Sequence, residues 1–429
     1  MITIFVTICT GLALILTLLL TLQAYESRRY ARSRTRADQR QTIPWQRVAL
    51  FVPCKGYELG LRENLTSLFE QEYGNFEIVF VLEGRHDPAL HVIERLMAEH
   101  PAIPTRYVFA GRAEDSGQKV HNLYVATSDL PMNVQVLAFV DSDARPHRDW
   151  LRSLVSGLNA DSEAAACTGY RWMIPARNTW ANLVLYSINS ATASLYGPGK
   201  HLLVWGGAWA IGRDAFLRAG IREAWRGTLS DDLVASRALR VAQHGTRFEP
   251  RCVIASAYDV SPIGMVEFLR RQLFIGRRYA YGLFTAAFVT TSISFVGTWG
   301  ALLTGSYHVL MGRSSGCYGI AGFVLLYVIG VVRSYLRQGL AECFAPHHFR
   351  RLVAARRFDL FVGPLLGPVL AFAFVAACTG NQITWRGIRY FIMPSGHIQL
   401  IGRRPLPGES SDIPSVDVIE PATPTRRVA

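Results

Sequence analysis

Residues 2–24 (ITIFVTICTGLALILTLLLTLQA) form an uninterrupted apolar run, long enough to cross a bilayer as one helix. No basic segment precedes the run, its apolar core is too long for a signal peptide, and arginines from Arg28 to Arg40 follow it. The pattern predicts a retained anchor over 1–25 with its C-terminal end in the cytosol, then a basic juxtamembrane linker over 26–44. Further apolar stretches lie at 283–311, 316–332 and 360–379, the last carrying Pro364 and Pro368. They predict a membrane region of about three spans over 283–380. Parity constrains them. With 28–280 inside, three full late crossings would leave the tail from Asn381 outside despite Arg386, Arg389, Arg403 and Arg404, so one late stretch is expected to be interfacial or re-entrant. Residues 381–429 read as a tail whose polar, Pro-rich last twenty residues are expected to be disordered.

Between the anchor and the late spans, 45–261 have the pattern of a globular domain. Short β-branched runs (47–53, 76–83, 106–110, 134–140) alternate with segments whose apolar residues recur at helical spacing (60–72, 88–99, 148–158). Unalternated strands separated by helices predict an α/β domain with a mainly parallel sheet covered on both faces. Residues 262–282 then read as an amphipathic segment at the membrane surface.

Composition agrees with a membrane protein. Half of the 429 residues are hydrophobic and 18% are charged, against about 25% in soluble domains. The net charge of +13 is concentrated: residues 28–40 and 333–357 hold six arginines each against one acid each, and both border apolar runs. The excess follows membrane topology rather than nucleic acid. Seven scattered cysteines with no C-x-x-C pair exclude a zinc ribbon, a redox motif and a disulfide framework.

Ligands of parallel sheets bind beyond the carboxyl ends of the strands. There the chain places Lys55, in Pro53-Cys54-Lys55-Gly56, then Glu83 and Asp87, then Asp141-Ser142-Asp143. Neither G-x-G-x-x-G nor G-x-x-x-x-G-K-[ST] occurs at the first strand end, which argues against a dinucleotide or P-loop site. Two carboxylates one residue apart after a buried strand suit Mg²⁺ or Mn²⁺ that also holds a diphosphate; the competing reading is a turn whose Asp caps a helix near His147. Asp231 and Asp232 open a helical stretch, as ordinary first-turn acids or with one of them as a general base. Trp205-Gly206-Gly207-Ala208 permits a close backbone approach or is simply a tight turn. Lys119, in GQKVHNL, is on its own a surface residue. The arginines of Arg270-Arg271-Gln272 and Arg277-Arg278 divide between positive-inside charge and phosphate binding.

The order of these segments resembles that of membrane-bound family 2 glycosyltransferases, and most closely the ceramide glucosyltransferase branch. The matching stretches are VPCKG (52–56), 64–73, EIVFVLEGRHDPAL (77–90), GQKVHNL (117–123), FVDSDARP (139–146), GGAWAIGRDAF (206–216), the SDDL stretch, the basic RRQ segment and ITWRGIRY (383–390). The resemblance implies a glycosyltransferase A-type nucleotide-sugar domain and an inverting transfer of a hexose from a UDP-sugar, UDP-glucose first, to a hydroxyl of a membrane lipid such as ceramide. It implies Asp232 as catalytic base, with Asp231 in the place of the family's preceding Glu. Asp143 and Asp141 become ligands of Mg²⁺ or Mn²⁺, and Lys55, Glu83, Asp87, Lys119, Asp141, Asp231, Arg271 and Gln272 contacts of the nucleotide sugar. Two positions depart from the family. The acid that usually contacts uracil is replaced around Gly84, leaving Glu83 or Asp87, and the Arg-Trp pair that ends the basic motif is absent, leaving Arg277 or Arg278. A retaining route needs an enzymatic nucleophile, for which no residue stands out. The alternatives are a processive polysaccharide synthase, which needs more crossing helices, and an inactive scaffold, against which Asp141, Asp143 and Asp232 argue. The expected setting is the cytosolic face of a multi-pass protein, in a bacterial inner membrane on Arg- and Ala-rich usage.

Overall fold

The computed structural model describes residues 1–36, 45–57, 60–160, 163–200 and 202–404. Strands β1 (Val48–Pro53), β2 (Phe76–Leu82), β3 (Thr105–Phe109) and β4 (Val136–Val140) pair in parallel. Along β1, Val48, Leu50 and Val52 enter one apolar core with helices α2 (Leu61–Phe69), α3 (Ala89–Glu99) and α5 (Trp150–Asn159). Ala49 and Phe51 enter a second core with α4 (Gln118–Ala126), the short α7 (Arg213–Arg218) and α8 (Ile221–Trp225), and α9 (Asp231–Val241). Burial on both faces is the physical reason these runs lack polar alternation. The sheet is mixed beyond β4: β7 (Ala208–Gly212) runs antiparallel to both β4 and β5 (Ala164–Thr168), and β8 (Gly245–Phe248) pairs in parallel with β5. The order is β3-β2-β1-β4-β7-β5-β8. A separate parallel pair joins β6 (Arg171–Pro175) to β9 (Ile254–Tyr258), with α6 (Trp180–Ala193) between them in sequence.

Three helices among the described residues are long and apolar enough to cross a membrane: α1 (Ile2–Arg36), α11 (Tyr281–Leu310) and α12 (Gly316–Gln338). They meet at small residues: a Cβ on Gly297 would lie 2.7 Å from the Cys9 carbonyl oxygen, and one on Gly319 2.8 Å from Gly305 Cα, the close backbone approach that membrane helices favour. The expected linker over 26–44 is corrected as far as Arg36, because α1 continues through it unbroken; residues 37–44 lie outside the described residues. Arg34 pairs with the buried Glu249 at 2.7 Å and Tyr30 donates to the Phe248 carbonyl at 2.9 Å, so the helix is bolted to the sheet domain.

The parity problem resolves in the last apolar stretch. After the short α13 (Ala341–Phe344), residues 360–379 are broken into the end of α14 (Val353–Phe361), a 3₁₀ turn at Pro364 and the 12-residue α15 (Gly367–Cys378). At 1.5 Å per residue α15 is about 18 Å long, too short for a hydrocarbon core of about 30 Å. Asp359 at the end of α14 is fully buried and takes hydrogen bonds from Ser187, Arg337 and Gln338, tying α6, α12 and α14 together. With α11 and α12 as an even pair of crossings, the chain returns to the side of the sheet domain.

There it forms a feature the tail expectation missed. β10 (Gln382–Trp385), β11 (Ile388–Ile392) and β12 (Ile398–Arg403) make an antiparallel sheet. Ile383, Ile388, Tyr390, Ile392 and Ile398 are buried with Leu229 and with Phe274 of α10 (Pro262–Tyr279). The β10–β11 turn places Arg386 at φ 47° and Gly387 at φ 74°. Positive φ at both central residues matches strand twist in two-residue hairpins, but a non-glycine residue there costs about 1–2 kcal/mol. Residues 405–429, including the end expected to be disordered, lie outside the described residues.

Candidate active site

The ends of β1, β2 and β4, the start of α4 and the start of α9 converge on one crevice. Lys119 Nζ lies 2.7 Å from Asp141 and 3.1 Å from Asp231, with the Gly206 carbonyl at 3.4 Å. Lys119, which by itself reads as a surface lysine, thus joins two of the acids expected to act together. Burial alone would lower its pKa, but Asp141, Asp231 and Asp232 outweigh that and raise it, keeping the ammonium charged. A Cβ at Gly206 would lie 2.6 Å from Asp231 Oδ2 and 3.0 Å from Lys119 Nζ. Glycine is required here because backbone meets an ion pair.

Ser230 caps α9, and both acids follow in its first turn, where the macrodipole favours negative charge. The two differ in surroundings. Asp231 is buried against Lys119, whereas Asp232 is half-buried; its Oδ1 accepts from Ser230 Oγ at 2.6 Å and Leu233 N–H at 2.7 Å, and its Oδ2 from Gly206 N–H at 3.3 Å. Burial, then Asp232 and Asp141, raise the Asp231 pKa to about 6 against the opposing pull of Lys119. This carboxyl therefore stabilises the fold most when protonated, below the unfolded value near 3.9, and the contribution fades as pH rises through about 6. Asp231→Asn, which mimics the neutral form, should gain on the wild type by up to about 3 kcal/mol between pH 4 and pH 7. Thermal melts of both proteins across that range test this; a constant difference would place the ionisation elsewhere.

Asp143 pairs with Arg171 at 2.8 Å and keeps 36% of its side chain exposed. Burial would raise its pKa, but Arg171 and Arg386 hold it below the ordinary carboxylate value. Neither Asp141 nor Asp143 caps the following helix; Asp149 occupies the position before α5. Their hard oxygens suit Mg²⁺ or Mn²⁺, which take one or two carboxylates and complete their shell with phosphate and water. Among the described residues, no group of three or more acidic, histidine or cysteine side chains is placed to hold a metal ion.

The remaining expected residues fall in distinct places. Glu83 is held by Lys55 at 3.0 Å, Arg403 at 2.7 Å and Arg112 at 3.3 Å; burial opposes its ionisation, but Lys55 and Arg403 prevail and lower its pKa. Asp87 is buried and accepts from the N–H groups of Gly56 and Ala89, bracing the loop that carries Lys55. Arg271 lies on α10 with its guanidinium 5.8 Å from the Trp385 ring, and Gln272 beside it is exposed. Arg277 and Arg278 are drawn to the chain after α15: Arg277 donates to the carbonyls of Cys378 at 2.6 Å and Gly380 at 3.1 Å, and Arg278 to Asn381. Both side chains are thus engaged with the chain that follows α15.

Four residues that sequence reading did not place enter the same crevice: Arg171, Arg386, Arg403 and Gln118. Arg403 donates to Glu83 and Gln118, and Tyr390 Oη accepts from the Gln118 N–H, so the C-terminal sheet closes one wall. The available signal was alternation across ITW-RG-IRYFI, a two-residue turn between half-buried strands.

Fold and crevice together give a mixed, mainly parallel α/β domain carried on membrane-type helices. Residues 8–398 match glycosyl transferase family 21, and the chain belongs to that family. The expected relation to ceramide glucosyltransferases holds at a distance, and these matches do not fix the branch. Ceramide glucosyltransferase 1 of Caenorhabditis elegans is 32% identical over 79 residues, 18% of this chain and 17% of that protein. Ceramide glucosyltransferase of Komagataella phaffii is 32% identical over 73 residues, covering 16% and 14%. The matches thus span less than a fifth of these curated relatives' length. Among solved structures, the mannosyltransferase PcManGT from Pyrobaculum calidifontis, in complex with GDP-Man and Mn²⁺, aligns over 87% of this chain and 97% of its own, at 14% identity and TM-score 0.45.

Proposed function

We propose that the protein transfers a hexose from a UDP-sugar, UDP-glucose first, to a hydroxyl of a membrane lipid such as ceramide or a related lipid, with inversion. The observation that carries this reading is the cluster in which Lys119 bridges Asp141 and Asp231 while Asp232 stays reachable. Asp232 takes the proton of the acceptor hydroxyl as its oxygen attacks the anomeric carbon. The bond from that carbon to the diphosphate oxygen breaks on the opposite side, and UDP leaves. Lys119 and Arg271 lend positive charge to the donor side. A divalent ion, when bound by Asp143 and Asp141, would neutralise charge on the leaving diphosphate. Helix α10 runs into α11 across Ala280, which supports an acceptor presented from the bilayer.

The test is transfer from radiolabelled UDP-glucose to ceramide, diacylglycerol and hopanoid-type lipids by the full-length protein in nanodiscs, with product anomeric configuration read by NMR. EDTA should abolish transfer, and Mn²⁺ or Mg²⁺ should restore it. Full turnover of metal-free protein in EDTA would remove Asp143 from the ligand set, and a retained configuration would overturn the single displacement. The sheet domain is proposed to face the cytosol. Cysteines engineered near Arg34 and Arg351 should resist an impermeant reagent in sealed cells, and labelling from outside would reverse the topology.

A further inference from the structure

The basic segment of α10 lacks an Arg-Trp pair: Phe274 and Ile275 stand there, buried in the apolar core under the C-terminal sheet. We infer that the tip of the β10–β11 hairpin supplies the missing pair, with Arg386 binding the diphosphate of the donor and Trp385 holding Arg271 beside it. The inference rests on the reading of the site as a UDP-sugar site and adds a residue to it.

Three observations converge on Arg386. Its Nη1 donates to the Lys55 carbonyl at 3.2 Å, which fixes the guanidinium at the carboxyl end of β1, where ligands of such sheets bind. Its charge acts on Asp143 and on Arg271, so it lies near both the candidate metal ligand and the basic helix. Its backbone is held at φ 47° in a turn that asparagine or glycine would occupy without strain. Strain of this kind persists where the surrounding structure enforces it, and it concentrates at ligand clamps.

The surroundings do enforce it. Ile388, Tyr390 and Ile392 anchor the hairpin in the core, and Arg403 on the neighbouring strand grips Glu83. Trp385 lies against Arg271, which also stacks near Phe268 at 5.6 Å. Arg271 and Arg386 are thus like charges held near one another by elements more than a hundred residues apart in sequence. A diphosphate that reaches both guanidiniums would take charge-assisted, bidentate hydrogen bonds from them.

The experiment measures UDP and uridine affinity of the full-length protein by titration calorimetry, together with thermal melts, for wild type, Arg386→Gly and Arg386→Lys. Glycine accepts the positive φ, so Arg386→Gly should melt at or above the wild-type temperature. UDP affinity should nevertheless fall at least tenfold, with uridine affinity unchanged, and Arg386→Lys should recover part of the loss. Wild-type UDP affinity in Arg386→Gly would overturn the inference and leave the proposed function standing. Equal loss of UDP and uridine with a lowered melt would also overturn it, making Arg386 a structural residue. A wild type that binds UDP no better than uridine would overturn the UDP-sugar reading itself.

Discussion

Replacing Asp232 by asparagine should lower kcat for lipid glycosylation at least about a hundredfold, within the 10²–10⁴ range of a general base, while UDP-sugar affinity changes little. Ser230 and Leu233 occupy Oδ1, and among the described residues only the longer Gly206 contact reaches Oδ2. Oδ2 is therefore the oxygen left to receive a proton. Asparagine preserves the shape but turns that acceptor into an NH₂ or, if flipped, sets a donor against Leu233 N–H. Asp231→Asn should cost less turnover, because Asp231 is buried beside Lys119. Steady-state kinetics with direct donor titration separates the two effects. A dead Asp231→Asn beside a nearly normal Asp232→Asn would move the base by one residue, and wild-type turnover in both would end the mechanism.

Lys119→Met should destabilise the protein by about 3–5 kcal/mol, the cost of leaving buried charge without its partner. Asp141 and Asp231 would then confront each other and Asp232 without the ammonium between them. The penalty should shrink with acidity. Lys119 now helps hold the Asp231 pKa down to about 6; without it the carboxyl protonates at higher pH and at pH 5 needs no cation. Melting the variant and the wild type at pH 5 and pH 8 checks the sign, and a larger deficit at pH 5 would show that the stabilisation lies elsewhere.

The parallel half of the sheet was legible because β1, β2 and β4 are buried on both faces and so read as unbroken apolar runs. Strand β5 (AAACT) is small and weakly apolar, and β8 (GTRF) is four residues with an arginine, so neither carries enough local signal to stand out from a loop. Asp141, Asp143 and Asp232 were legible from their place after a buried strand or at a helix start. The partners that give them their electrostatics were not. Arg171 reaches Asp143 from 28 positions away and Arg403 reaches Glu83 from 320, separations that no local pattern encodes. The apolar character of 360–379 was plain in the sequence, but the division of that stretch at Pro364 into pieces too short to cross depends on packing against α6 and α12.

The last wall of the crevice is also the last part of the described chain to be synthesised. Arg386 and Arg403 leave the ribosome some 150 to 170 residues after Asp232, roughly 8–35 seconds later at 5–20 residues per second. Two membrane helices must be inserted between those moments. A nascent chain can therefore fold its sheet, gather its acids around Lys119 and still lack the strands that seal Glu83 and Gln118. Maturation becomes a checkpoint: a polypeptide in which one of α11 and α12 fails to integrate leaves its final hairpin on the wrong side of the bilayer, with the crevice open.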